Sequence, residues 1–301
     1  MTYALHVRDL RKAYATVQAV NGISLDVAQG EIFGLLGPNG AGKTTTIRII
    51  MDILPADAGE VRVLGHPPRE VRERVGYLPE ERGLYPNMRV LDLLVYLAQL
   101  KGRSASWARK QAMEYLDKVG LADRRHAKVR ELSRGMQQKV QFLAALIHDP
   151  DLLILDEPFQ GLDPVNVQVV KDLMLELQAR GKTIVLSTHQ MNRVEALCSR
   201  IALINRGRLV LYGALDEIKR EYSPNIVLLR TPGPLPDMAS VAHVTQRDGM
   251  YYLELHEDVS PQEVLKRLVI ANVPVEAFEV GRLPLEDIFV RVVKEAGYEP
   301  A

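Results

Sequence analysis

Eight residues, Gly37-Pro38-Asn39-Gly40-Ala41-Gly42-Lys43-Thr44, constrain this chain more than any others. They follow the apolar run Ile32 to Leu36 and precede a segment from Lys43 onward that reads as a helix. Strand, glycine-rich turn and helix in that order match G-x-x-x-x-G-K-[ST], a loop built to hold phosphate. Glycines let backbone N–H groups curl around phosphate oxygens, and the helix dipole adds positive potential. Lys43 is expected to reach the β- and γ-phosphates, Thr44 to ligate Mg²⁺ through its hydroxyl, and Thr45 to belong to the same nucleotide-binding set. By itself the motif specifies only a nucleoside triphosphate.

Leu152-Leu153-Ile154-Leu155-Asp156-Glu157 reads as a buried strand that delivers two carboxylates at its carboxyl end. An Asp-Glu pair alone is as easily a solvated strand end. Joined to the phosphate loop, the pair divides into two roles: Asp156 in the Mg²⁺ shell, and Glu157 as the general base that polarises the attacking water.

The segments around these motifs alternate between strand and helix. Ala4 to Val27 reads as short strands and turns, Met88 to Val119 as a helical insertion, and a further helix starts after Ser133. A helix around Val167 to Ala179 precedes the strand Thr183 to Ser187. Such alternation implies an α/β fold of the P-loop type, with a mainly parallel sheet and ligands at the carboxyl ends of its strands. Beyond Ser223 the pattern changes. Strand-like Ile226 to Arg230, Val241 to Gln246 and Tyr251 to His256 precede helices from Pro261 and Pro284, with a Pro- and Gly-rich loop at Thr231 to Asp237. Charge changes at the same place: 7 basic and 12 acidic residues from Pro224 onward, against 31 and 26 before it. The expected division is 1–222 for the nucleotide domain, with a helical subdomain about 86–150, and 223–301 for a small α+β domain.

Over the whole chain Lys plus Arg equals Asp plus Glu at 38 each, so there is no basic excess to announce a nucleic-acid partner. Met1 to Leu10 holds no long apolar segment, which argues against a secretory signal. Apolar stretches such as Leu93 to Leu100 fall well short of the ~20 residues that a membrane-spanning helix needs. Any membrane role is therefore expected to be peripheral. Cys198, the single cysteine, follows an apolar pattern with Val194, Leu197 and Ile201 and reads as core on a helix.

Between the two halves of the site lies Leu132-Ser133-Arg134-Gly135-Met136-Gln137-Gln138, which resembles the LSGGQ signature of ABC ATPases. Ser133 is placed to cap a helix whose free N–H groups, with Gly135, suit a γ-phosphate; in that family the phosphate belongs to the opposite subunit. Arg134 and Met136 depart from the pattern. Other segments resemble the remaining family motifs in order. Tyr14 stands where an aromatic stacks on adenine, and Gly161-Leu162-Asp163 resembles the D-loop of the dimer interface. Ser187-Thr188-His189 resembles the loop whose histidine contacts γ-phosphate and the catalytic water. Gly76-Tyr77-Leu78-Pro79-Glu80 aligns with the Q-loop, with Glu80 where glutamine is usual; its carboxylate remains able to contact the Mg²⁺ shell.

The resemblance covers residues 3 to about 222. Glu80-Glu81-Arg82-Gly83-Leu84-Tyr85-Pro86, Glu157-Pro158-Phe159 and the tail with Leu285-Glu286-Asp287-Ile288-Phe289 are similar to ATPases of ABC-2-type exporters, including the sodium-export branch. It implies an ATP- and Mg²⁺-dependent ATPase in the cytoplasm, peripheral on the inner face of the cell membrane. Its partners would be a separately encoded transmembrane permease and a second ATPase subunit, identical or related. The tail, lacking any phosphate motif, is expected to be regulatory or dimer-forming. The alternatives are a soluble ABC ATPase acting on ribosomes or DNA and a module that holds ATP without turnover. The first usually carries two ATPase domains or a long inserted coiled coil, neither of which this sequence has; the second is disfavoured by Glu157 and His189.

Overall fold

The computed structural model describes residues 3–295 except Arg82, Pro224, Pro234, Pro236, Asp237, Ala239, Asp248 and Glu257. Arg82 of the exporter-like segment, and part of the loop expected at Thr231 to Asp237, thus lie outside the described residues.

The chain divides into two units, Met1–Gly213 and Ala214–Ala301. The first opens with two twelve-residue strands, β1 (Tyr3–Tyr14) and β2 (Val17–Ala28), where short strands and turns are expected from the sequence. They form one antiparallel hairpin with several register shifts. Asp9, inside one of these irregularities, has positive φ. Such bulges interrupt the period-two alternation and make a long strand read as several short ones. Next come β3 (Ile32–Leu36), α1 (Lys43–Ile50), β4 (Ala58–Val63) and β5 (Val75–Leu78). The helical insertion follows as α2 (Val90–Leu100), α3 (Ala105–Lys118) and α4 (Arg134–Leu146). Ser104 and Ser133 cap α3 and α4 by accepting the N–H groups of Trp107 and Met136.

The unit is completed by β6 (Leu152–Asp156), α5 (Pro164–Ala179), β7 (Thr183–Thr188), α6 (Met191–Glu195), β8 (Arg200–Asn205) and β9 (Arg208–Ala214). Every residue of β3, β6 and β7 is buried. Strands apolar on both faces belong inside a parallel sheet covered on both sides. Accordingly they lie within a six-stranded sheet of order β5-β6-β7-β3-β8-β9, in which β5/β6, β6/β7, β7/β3 and β3/β8 pair in parallel. β2, β1 and β4 form a separate three-stranded sheet. One hydrophobic core joins the two sheets through residues such as Val7, Leu10, Ile23, Phe33, Ile47, Ile154 and Val185, each such burial contributing about 1.5–3 kcal/mol. At their edge the Tyr212 hydroxyl donates to Asp26 O and accepts the Asp26 N–H, both at 3.0 Å.

Cys198 is buried, as its apolar neighbours suggest, but α6 ends at Glu195 and Ile201 already belongs to β8. The helix expected there is therefore only its first part. The second unit carries α7 (Leu215–Glu221), β10 (Ile226–Arg230), β11 (Val241–Arg247), β12 (Met250–Leu255), α8 (Pro261–Ile270), β13 (Ala277–Gly281) and α9 (Leu285–Glu295). Its antiparallel sheet has the order β11-β12-β10-β13, and Val227, Leu229, Leu253 and Leu255 pack against Val264 and Leu268 of α8. α7 precedes the change of composition at Ser223 and falls in this unit.

Candidate functional site

The loop between β3 and α1 is held by glycine geometry. Gly37 and Gly42 have φ of 149° and 107°, and a Cβ on them would meet Ile204 O at 2.1 Å and Ala19 O at 2.3 Å. No side chain larger than hydrogen fits either place. The loop is thereby pressed between the end of β8 and the start of β2. The Arg206–Gly207 turn adds to this clamp: Gly207 N–H donates to Ala41 O at 2.8 Å, and Asn21 N–H donates to Gly207 O at 2.7 Å. α1 begins with Gly42 as its N-cap and has no side-chain cap, so its first N–H groups are free of intrahelical acceptors and suit an anion. Lys43 Nζ donates to Gly37 O and Pro38 O at 2.7 and 3.0 Å. Burial lowers the Lys43 pKa, opposed by the negative charges of Glu157, Asp156 and Glu80.

A cleft of about 450 Å³ opens over this loop, lined by Asn39 to Thr45, Glu80, Asp156 and Glu157. Asp156, at the end of β6, is 1% exposed and accepts from Thr44 Oγ1 at 3.1 Å. Burial raises its pKa. Glu157 follows with φ of 49°, a left-handed backbone that its N–H supports by donating to Ser187 O at 2.9 Å. Three donors from the end of β7 hold its carboxylate. Thr188 Oγ1 reaches Oε2 at 2.9 Å, while His189 N–H and Nδ1 reach Oε1 at 2.9 and 2.6 Å.

The remaining sequence candidates lie elsewhere. Gly37 and Pro38 act through the carbonyls that bind Lys43 and do not line the cleft. Tyr14 sits at the end of β1, exposed beside Lys12, and the cleft wall on that side is made by Val17, Gln18 and Ala19 of β2. Ser133 and Gly135 are also outside the cleft of their own chain, where Ser133 is exposed and Gly135 lies near Gly161 and Leu162. Asp163 caps α5 by accepting Asn166 N–H at 3.0 Å, and hydrogen bonding from Asn166 lowers its pKa.

Val17, Gln18, Ala19, Arg206 and Thr188 were not among the sequence candidates. Thr188 was reachable from its place beside His189. Arg206-Gly207 carried a turn signal, but its approach to the phosphate loop spans more than 160 residues of sequence. The β2 residues contribute a wall with no chemical signature.

Residues 20–160 match the ABC transporter family model, and residues 213–293 match the C-terminal domain of DrrA1-3-like ATP-binding proteins. The ABC transporter ATP-binding protein YhaQ of Bacillus subtilis (strain 168) is 40% identical over 294 residues, 96% of this chain and 98% of its own length. The Nod factor export ATP-binding protein I of Paraburkholderia xenovorans (strain LB400) is 38% identical over 303 residues, 96% of each chain. A solved ATP-binding subunit of an ABC transporter is 32% identical with a TM-score of 0.69, covering 73% of this chain and 93% of that one. The phosphate loop, the paired carboxylates and these relatives agree: the chain belongs to the ABC transporter ATP-binding proteins and is an ATP-hydrolysing subunit of such a transporter.

Proposed function

We propose that this chain powers an exporter as one of two ATPase subunits, each nucleotide being closed between the cleft of one chain and the Ser133 helix end of the other. One observation carries the dimer: Ser133 is exposed and lies outside the cleft that contains Lys43, Asp156 and Glu157 of the same chain. A single chain therefore leaves its signature without a nucleotide and its nucleotide without a signature. Export is supported by the Nod factor export relative. Among the described residues no helix is long and apolar enough to cross a membrane; the separate permease and a place on the inner, cytoplasmic membrane face are carried by the likeness to transporter ATP-binding proteins.

Within the cleft, backbone N–H groups of the loop and Lys43 bind the phosphates. Lys43 must first release its two loop carbonyls. Thr44 and Asp156 bring hydroxyl and carboxylate oxygens together at 3.1 Å, a hard donor set that suits Mg²⁺, and Glu80, which also lines the cleft, offers a third oxygen donor. When bound, Mg²⁺ neutralises charge on the phosphates. Glu157 orients and deprotonates water, and His189 holds the Glu157 carboxylate in position. Asp163 acts by fixing the start of α5, and Tyr14 serves adenine from the hairpin end.

The test is Glu157→Gln in the full chain. It is expected to bind ATP within about threefold of wild type and to slow turnover by a factor of ~10² or more, with a dimer persisting in ATP during size-exclusion chromatography. Normal hydrolysis by this variant would remove Glu157 from the base role, and a persistent monomer would remove the shared site.

A further inference from the structure

Gln141 lies two turns into α4, on its core face, and is 4% exposed. Its Nε2 donates to Pro79 O at 3.0 Å and to Glu81 O at 3.1 Å. These two carbonyls flank Glu80, which lines the cleft and whose charge acts on Lys43. Both amide hydrogens are thus spent on the backbone either side of one functional residue. That fixes the amide orientation, since the reverse would set Oε1 against two carbonyl oxygens. Oε1 is left buried without a partner among the described residues. A buried acceptor in that state is unfavourable, and an apolar side chain would avoid the cost. The return for having glutamine here is the pair of bonds to the Glu80 loop.

The helix makes a second contact of the same kind. Gln138, one turn earlier and also buried, donates from Nε2 to Pro158 O at 3.2 Å, the peptide that follows Glu157. α4 therefore grips the backbone beside two acidic residues of the cleft, while its N-terminus carries Ser133 about 12 Å away along the axis from Gln141.

We propose that Gln141 is a positioning residue for Glu80: it sets where the Glu80 carboxylate stands and so tunes how tightly the cleft holds a divalent cation with the nucleotide. This rests on the reading above, in which Glu80 serves that cation. Pro79 has no N–H to donate, and its carbonyl, with that of Glu81, is a handle that Gln141 takes.

The experiment compares wild type, Gln141→Leu, Glu80→Ala and the double variant in the full chain. Equilibrium binding of ATP is measured with Mn²⁺ and in excess EDTA, and Mn²⁺ occupancy of the ATP complex is followed by electron paramagnetic resonance. Gln141→Leu is expected to weaken Mn²⁺-dependent ATP binding by about five- to tenfold, the scale of losing one or two hydrogen bonds, while binding in EDTA stays within about twofold. Glu80→Ala is expected to do the same, and the double variant to lose no more than Glu80→Ala alone, because Gln141 acts through Glu80. Should Gln141→Leu not fold, Gln141→Asn retains the amide, falls short by one methylene and is expected to give the same selective loss.

If Glu80→Ala leaves Mn²⁺-dependent binding unchanged, the cation reading of Glu80 fails and the positioning role falls with it. If Glu80→Ala weakens it but Gln141→Leu does not, or if the two losses add in the double variant, the positioning role alone is overturned. Equal weakening with and without Mn²⁺ in Gln141→Leu would mark a merely structural residue.

Discussion

At the scale of single residues, burial sets the chemistry of this chain in two places. One is the cleft, where Asp156 is held at the end of a wholly buried strand and burial raises its pKa, disfavouring the ionised carboxylate. The other is His148, 2% exposed, whose Nε2 donates to Val75 O at 3.2 Å just before the Glu80 loop. Burial, with the nearby charges of Lys101 and Arg103, pushes its pKa down to about 4; Asp149 and the hydrogen bond to Val75 oppose this. Because the folded value lies below that of an unfolded histidine, the stability involved is complete above about pH 6.5 and is lost as pH falls from there toward 4. The first unit of the wild type is expected to lose about 1–2 kcal/mol between pH 6.5 and 5 from this source. His148→Gln, which keeps a donor for Val75, lowers the melting temperature at pH 7 but flattens its dependence on pH. Equal slopes in thermal melts of the two proteins would show that His148 is not the group responsible. The two residues are not equally legible in the sequence: Asp156 stands in a motif, whereas His148 is one of 7 histidines and only its depth singles it out.

At the scale of elements, the site is a joint between the β1–β2 hairpin, the phosphate loop and the turn joining β8 to β9. Gly207 is its pivot. Its φ is 76°, and a Cβ there would stand 2.9 Å from Ala19 O and 3.0 Å from Gln18 O, the wall of the cleft. Gly207→Ala combines backbone strain of about 1–2 kcal/mol with a shift of the turn, endangering the bond to Ala41 O. ATP affinity is expected to fall about tenfold, equivalent to about 1.4 kcal/mol. Gly102→Ala is the control: its φ of 79° carries the same strain, but a Cβ there meets nothing within 4 Å. It is expected to lower the melting temperature and leave affinity within about twofold, and an equal loss of affinity in both variants would refute the pivot. Elements were legible where pattern and period coincide, as in β3, β6, β7 and α3. They were less so where bulges break β1 and β2, or where the edge strand β13 shows exposed residues and no alternation of its own. The grip of α4 on the Glu80 loop was not legible at all, because a glutamine inside a helix carries no sign of which backbone it holds.

At the scale of the whole molecule, the question is what the second unit contributes. Every residue that lines the proposed nucleotide cleft precedes residue 207, and the first unit has its own core. The second unit has a four-stranded sheet, a separate cluster around Val227, Leu253 and Val264, and internal ties such as Arg291 to Glu254 at 2.9 Å and Leu283 N–H to Ser223 Oγ at 2.8 Å. Two self-contained cores argue for separable folding. A chain of residues 1–213 is therefore expected to bind ATP within about twofold of the full chain, and residues 214–301 alone to melt cooperatively. Dimerisation is where the two halves are expected to part. If the second unit forms or regulates the dimer, Glu157→Gln introduced into 1–213 binds ATP but elutes as a monomer at concentrations where full-length Glu157→Gln is dimeric. If the short variant dimerises as well as the long one and its wild-type form hydrolyses ATP at the full-length rate, the second unit serves neither purpose. Loss of ATP binding by 1–213 would refute the premise itself, because it would show that the nucleotide core depends on the second unit to fold.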